Sequence, residues 1–273
     1  ADRNPLKPGE LVSADIIGPI RPVGARGEKY LSTFIDHYTG WTSAKPVATK
    51  STRELLRHAQ EMAAFLMTQT GERVRIIRTD SAPEYLTDLF EQWIAQEGIV
   101  HETTAPYCPA SNGKIERTNR TICEATRTQM RGSTVNFELW PYAAVNAAYL
   151  LNRTSVSPHT QKTPYEAIFG VAPNVRDLVP FGRRCFMKLE GQRPKLAPRS
   201  TLGTTLGRKE GQEGHFVLQE EGGVTVSRNI IEAETQGDST TTNSELDLEM
   251  GNEEDEDASD EFTGYTRAEG GPD

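Results

Sequence analysis

The apolar positions of this chain follow two different rhythms. LVSADIIG (11–18), KYLSTFIDHY (29–38) and WTSAKPVA (41–48) are short apolar-rich runs set off by turn residues such as Gly18-Pro19 and Gly40, which predicts three consecutive strands. Pro46 cannot donate to a ladder, so the third strand belongs at a sheet edge. The rhythm then lengthens. RELLRHAQEMAAFLMTQTG (53–71) repeats its apolar residues at helical spacing, follows Ser51 and Thr52, and ends at Gly71, which predicts a helix. RVRIIRTD (73–80) returns to a strand ending at Asp80. Residues 84–97 predict a helix stopped by Gly98, IVHETT (99–104) a short strand, and APYCPASNG (105–113) a loop. KIERTNRTICEATRTQMRG (114–132) and VNFELWPYAAVNAAYLLNRT (135–154) predict two long helices.

Five strands interleaved with helices predict a mixed α/β sheet with helical cover. The expected layout is a linker over 1–10 and one domain over 11–155. A connecting segment over 156–180 holds a short helix at TPYEAIFG (163–170). Over 181–234 the runs RRCFMKL, TTLGR, GHFVLQ and VTVSRNII, punctuated by Gly, predict a small β-rich module. Residues 235–273 are polar and poor in aromatics, which predicts disorder. Trp93, Trp140, Tyr142 and Tyr149 sit at helical spacing and are expected to pack.

Charge changes this picture. The formal net charge is −9, but 235–273 holds 13 acidic residues and one Arg, leaving 26 acids and 29 bases in 1–234. A mildly basic body with an acidic tail is able to approach a polyanion. The three cysteines are far apart, make no disulfide framework, and suit a reducing compartment. The five histidines are scattered, so zinc-ligand spacing is missing. No run reaches the roughly 18 apolar residues of a membrane span, and no secretory signal is visible. The chain starts with Ala, as expected of a piece of a longer polypeptide.

Three carboxylates stand out. Asp15 lies inside a predicted strand, Asp80 ends another, and Glu116 opens a helix. A carboxylate in a sheet is costly unless a cation or base neutralises it. Asp36, Glu84 and Asp88 compete by position. Oxygen-only ligation suits Mg²⁺ or Mn²⁺ rather than Zn²⁺, and three converging acids are able to hold two ions about 3.5–4 Å apart for in-line phosphoryl displacement. Around Glu116, SNGKIERTNRT supplies Asn112, Lys114, Arg117 and Arg120. Bases there read as contacts to a phosphate backbone or as a solvated helix face. Arg183, Arg184, Arg193, Lys195 and Arg199 pose the same choice in the β-rich module.

LVSADIIGPI, FIDHYTGW, IIRTDSAPEY and TAPYCPASNGKIERTNRTI together resemble the integrase of copia-type LTR retrotransposons, a branch of the retroviral integrase superfamily. The 35 residues between Asp80 and Glu116 match the family's D,D-35-E separation. FGRRCFMKL, KLAPRS and VTVSRNIIEAE resemble the β-rich segment that follows the core. The resemblance implies an RNase H-like, mixed five-stranded sheet. It implies Asp15, Asp80 and Glu116 as ligands of two Mg²⁺ ions (Mn²⁺ substituting), and Asn112, Lys114, Arg117 and Arg120 at DNA. The implied reaction joins the 3′-hydroxyl ends of element cDNA to target DNA, and terminal processing varies among relatives. The implied partners are element and target DNA and further copies of the chain. A cytoplasmic particle and then the nucleus are the implied locations. The acidic tail is expected to bind a host protein or to lead into a downstream polyprotein segment. The chain departs from the pattern where TDSAPE replaces the family's SDNGGE, where His37 follows Asp36, and where a His/Cys zinc module would precede residue 1. His37 is expected to be tolerated, TDSAPE keeps open a DNA-binding module that no longer catalyses, and the fold alone keeps open a transposase or a ribonuclease.

Overall fold

In a computed structural model of the chain, residues 5–104, 113–189, 191, 194–233 and 249–250 are described. Strand β1 (Val12–Ile17) lies at the centre of a five-stranded sheet. On one side it pairs antiparallel with β3 (Tyr30–Asp36), which pairs antiparallel with β4 (Thr42–Val47). On the other it runs parallel to β5 (Ile76–Thr79), which runs parallel to β6 (Val100–Thr103). The order is β4-β3-β1-β5-β6, so Pro46 lies on an edge strand as expected. The mixed sheet follows from the connections. A short turn joins antiparallel β3 and β4 and the longer segment 18–29 joins antiparallel β1 and β3, whereas parallel neighbours need helical crossovers. Those are α1 (Thr52–Thr70) and α2 (Asp88–Glu97).

Alternation along β1 sorts its side chains between two cores. Val12 and Ala14 join α1 and α2 in a cluster that includes Phe34, Leu55, Leu66, Phe90 and Trp93. The opposite face meets α3 (Gly113–Arg131) and α4 (Trp140–Thr154), through Leu31, Ile122, Met130, Trp140 and Ala143. Trp93, Trp140 and Tyr149 are buried in the packing the sequence predicts, and Tyr142 packs on Phe216 with ring centroids 5.2 Å apart. Helix α5 (Pro164–Phe169) caps the first core through Ile168.

A second, fully antiparallel sheet follows in the order β10-β9-β8-β7-β11. Its strands are β7 (Arg184–Lys188), β8 (Ser200–Thr205), β9 (His215–Gln219), β10 (Val224–Ser227) and β11 (Ile230–Glu232). Phe181 and Leu206 tie it to the α3/α4 core. Arg153 pairs with Glu210 while stacking on Tyr149, 3.5 Å from the ring centroid. Asn146 of α4 donates to Gln129 Oε1 at 2.6 Å and accepts from Arg208 N at 2.9 Å. The closest approach is at Gly207, which has φ +76° and where a Cβ would fall 2.1 Å from Asn146 Cγ. Gly207→Ala is expected to cost roughly 2–4 kcal/mol in urea unfolding, combining left-handed strain with a clash in a packed contact.

Three boundaries differ from the expected ones. The run from 135 splits into a short 3₁₀ turn at Phe137–Leu139 and then α4, because Pro141 is accommodated only in a first turn. The helix expected over 84–97 splits in the same way. A 3₁₀ turn, Pro83–Tyr85, precedes α2, whose N-cap Thr87 accepts from Phe90 N. The short β2 (Ile20–Arg21) was not expected, and it pairs antiparallel with β12 (Glu249–Met250) of the acidic tail. The rest of the segment expected to be disordered lies outside the described residues.

Candidate active site at the junction of β1, β5 and α3

Strand pairing aligns the first two acids. Val12 is level with Ile77 and Ser13 with Arg78, and the same offset carried two residues further sets Asp15 level with Asp80. Asp15 is on the β1 face that α3 covers, opposite Thr33 of β3. Helix α3 buries Ile115, Asn119, Ile122, Cys123, Thr126 and Met130 along one stripe. Asn119 donates from Nδ2 to Asp15 Oδ2 at 2.7 Å, and its Oδ1 accepts from Thr33 Oγ1 at 2.8 Å. Glu116 lies three residues before Asn119, in the first turn of α3, and is exposed. An acid there suits the helix dipole.

The charges of Asp80 and Glu116 both act on Asp15. Burial, then the charge of Asp80, then that of Glu116, push the Asp15 carboxyl up to about 7. Bonds from Ile16 N (2.8 Å to Oδ1) and Asn119 oppose this. Asp80 is also raised, first by burial and also by Glu84, against a bond from Ala82 N at 3.3 Å and the charge of Lys50. Among the described residues no group of three or more His, Cys, Asp or Glu side chains closes around a single ion position. Asp15 of β1 stands within electrostatic reach of both Asp80, just past the end of β5, and Glu116 of α3.

The competing acids resolve differently. Asp36 is structural. It accepts from Gly9 N at 2.9 Å, Thr39 N at 2.8 Å and Thr39 Oγ1 at 2.7 Å, tying the β3-β4 turn to the N-terminal segment. Asp88 is exposed in the first turn of α2. Glu84 has a buried Oε2 without a hydrogen-bond partner among the described residues. His37 bonds Ser13 Oγ at 2.8 Å, and burial holds it neutral, down to about 3.

The expected bases also separate. Lys114 turns inward, donating to the His37 carbonyl, and burial lowers its pKa. It anchors the start of α3 to the end of β3. Arg117 and Arg120 are exposed beside Glu116. Asn112 and Cys108 lie outside the described residues, as does Arg193. In the second sheet Arg184 pairs with Glu220 at 2.6 Å and Arg183 with Glu232 at 3.6 Å, while Lys195 and Arg199 are exposed.

Asn119 went unremarked in the sequence, although its spacing from Glu116 was the available signal. Asn119→Ala leaves Thr33 Oγ1 only its 3.3 Å bond to the Asp15 carbonyl and strips a donor from the Asp15 carboxylate. It is expected to destabilise the fold by roughly 1–3 kcal/mol in urea unfolding.

The mixed sheet in this order, with helices on both faces, is the RNase H-like architecture of integrase catalytic cores. Residues 5–109 match the family described as Integrase core domain. The curated relatives are copia-type retrotransposon Pol polyproteins. The chain is 32% identical over 192 residues to the "Retrovirus-related Pol polyprotein from transposon TNT 1-94" of Nicotiana tabacum. That match covers 70% of this chain and 14% of the polyprotein. It is 28% identical over 214 residues to the RE2 polyprotein of Arabidopsis thaliana, covering 78% of this chain and 14% of that protein. The chain thus spans about one-seventh of these relatives. Among solved structures, a simian T-cell lymphotropic virus intasome in complex with PP2A regulatory subunit B56 gamma is similar in fold. Its TM-score is 0.52 at 19% identity, covering 87% of this chain and 83% of that one.

Proposed function

We propose that this chain is the integrase portion of a copia-type polyprotein, and that it joins 3′-hydroxyl ends of element cDNA to target DNA. The observation that carries this reading is the Asp15 carboxylate. It is largely surrounded by protein on a central strand, beside two other acids, with a pKa raised to about 7. Such a group calls for a cation. The donor set is all oxygen, which fits Mg²⁺ or Mn²⁺, and Asp15, Asp80 and Glu116 would hold the metal, most naturally two ions. Bound there, the metal would activate the attacking hydroxyl and neutralise charge at the phosphodiester. Asn119 fixes the Asp15 rotamer, and Lys114 fixes the start of the helix that presents Glu116. Arg117 and Arg120 hold backbone phosphates, contacts that position DNA without reading its sequence. The working form is an oligomer on two DNA ends, acting in the nucleus after assembly in a cytoplasmic particle. The core, the β-rich module and the acidic tail divide as the sequence suggests, and the tail leads to a host protein or a downstream polyprotein segment.

A second reading, a DNA-binding module without catalysis, draws support from Ser81-Ala82-Pro83 in the turn after Asp80. The deciding experiment uses the full chain, a labelled duplex with a free 3′-hydroxyl, plasmid target and Mg²⁺ or Mn²⁺. Joined product is expected, and Glu116→Gln is expected to lower it by about 10²–10³-fold. DNA binding with no joined product would favour the second reading.

A further inference from the structure

The 3₁₀ turn Pro83–Tyr85 follows directly behind Asp80. Tyr85 is 0% exposed, and its ring meets Phe90 edge-on with centroids 5.5 Å apart. The hydroxyl at the tip of that ring is buried with no hydrogen-bond partner among the described residues. A buried hydroxyl left unpaired costs about 1–3 kcal/mol. A phenylalanine ring would fill the same space against Phe90 without that cost. The oxygen therefore needs a purpose that packing does not supply.

The charged groups that act on Tyr85 identify its surroundings. Asp15, Asp80 and Glu84 all bear on it, and with burial they keep the phenol protonated. The hydroxyl is thus a buried, protonated donor within electrostatic reach of these acids. Both oxygens of Asp15 already accept short bonds, from Ile16 N and Asn119 Nδ2. Asp80 accepts the long bond from Ala82 N, on a turn just past the end of β5. Glu84 Oε2 is also without a partner among the described residues, and of these two acids with room for a further donor Asp80 is the proposed metal ligand.

We propose that Tyr85 is a positioning residue of this site: with a divalent cation bound, its hydroxyl donates to the Asp80 carboxylate and fixes the rotamer that faces the ion. The role rests on the cation site proposed above. Ligating carboxylates are held by hydrogen bonds to their other lone pairs, and loss of such a partner weakens metal binding about 10–100-fold. Glu84 takes no part as a ligand in this arrangement. Its charge helps to aim the phenol proton toward the cluster.

The test is Mn²⁺ binding to the full chain, read from the free-ion paramagnetic resonance signal, with metal-free thermal unfolding measured in parallel. Tyr85→Phe is expected to unfold at the same temperature as wild type or higher, and to bind Mn²⁺ about 10-fold more weakly. Asp15→Asn is expected to lose most of the binding. If Tyr85→Phe binds as tightly as wild type while Asp15→Asn fails, the Tyr85 role falls and the cation site stands. If Tyr85→Phe lowers the metal-free unfolding temperature, the hydroxyl is a packing element and the proposal falls. If wild type binds no Mn²⁺, both readings fall together.

Discussion

Asp15→Asn is expected to cut strand joining by about 10⁴-fold or more, the scale of losing one member of a catalytic group that acts as a unit, and to stabilise the metal-free protein at the same time. The two effects share one cause. Burial and the charges of Asp80 and Glu116 raise the Asp15 carboxyl from an ordinary 3.8 to about 7. Its folded-state pKa lies above its unfolded value, so the folded state holds the proton more tightly. Ionised Asp15 therefore opposes folding, and stability falls as pH rises from about 4 to about 7. Above pH 7 the whole penalty is present. Asparagine removes it while keeping one oxygen for Asn119 Nδ2. Asp15 keeps some exposed surface, so after allowance for solvent screening the expected gain is roughly 2 kcal/mol. Urea unfolding at pH 8 and pH 4 checks this: a gain at pH 8 that vanishes at pH 4 is expected. Equal gains at both would detach the effect from ionisation. A metal ion competes with the same proton, so Mn²⁺ affinity is expected to weaken as pH drops below 7.

Trp140→Ala is expected to cost about 3–5 kcal/mol, the range for losing a large buried aromatic. Trp140 is fully buried at the start of α4, in the cluster that joins Leu31 of the first sheet to Phe181 and Leu206 beside the second. Its Nε1 donates to the Pro22 carbonyl at 3.0 Å, across 118 residues of chain. The loss would take a large share of the 5–15 kcal/mol that holds most proteins folded. Trp140→Phe separates the contributions. It keeps most of the apolar area but leaves the Pro22 carbonyl unpaired, and is expected to cost about 1–3 kcal/mol. Equal losses in both variants, measured by urea unfolding, would show that the hydrogen bond carries the effect.

Several features could be read from the sequence because their causes are local. Short apolar-rich runs mark β1, β3 and β5 whatever they pack against. Pro46 reports an edge strand because it lacks an N–H. Asp15 and Asp80 stand out because an acid in or at the end of an apolar run is expensive anywhere. Lys114 shows the limit of such reading. Spacing put it among bases, but whether it reaches solvent or the His37 carbonyl depends on how closely α3 approaches the end of β3. Asp36 and Asp15 look alike in sequence, and only the N-terminal segment and the turn at Thr39 make one of them a structural acceptor.

What the sequence by itself determined is the main strands and helices, the likeness to integrases, and the three acids worth watching. Each of these follows from side-chain periodicity, backbone chemistry or motif spacing, which act over a few residues. What only the tertiary structure decided is which groups meet. The register of β1 on β5 brings Asp15 level with Asp80, and the seating of α3 places Asn119 on Asp15. The turn after β5 buries the Tyr85 hydroxyl without a partner among the described residues. Those meetings are set by strand register and by helices packing on a sheet, and both are long-range consequences of burying two cores at once.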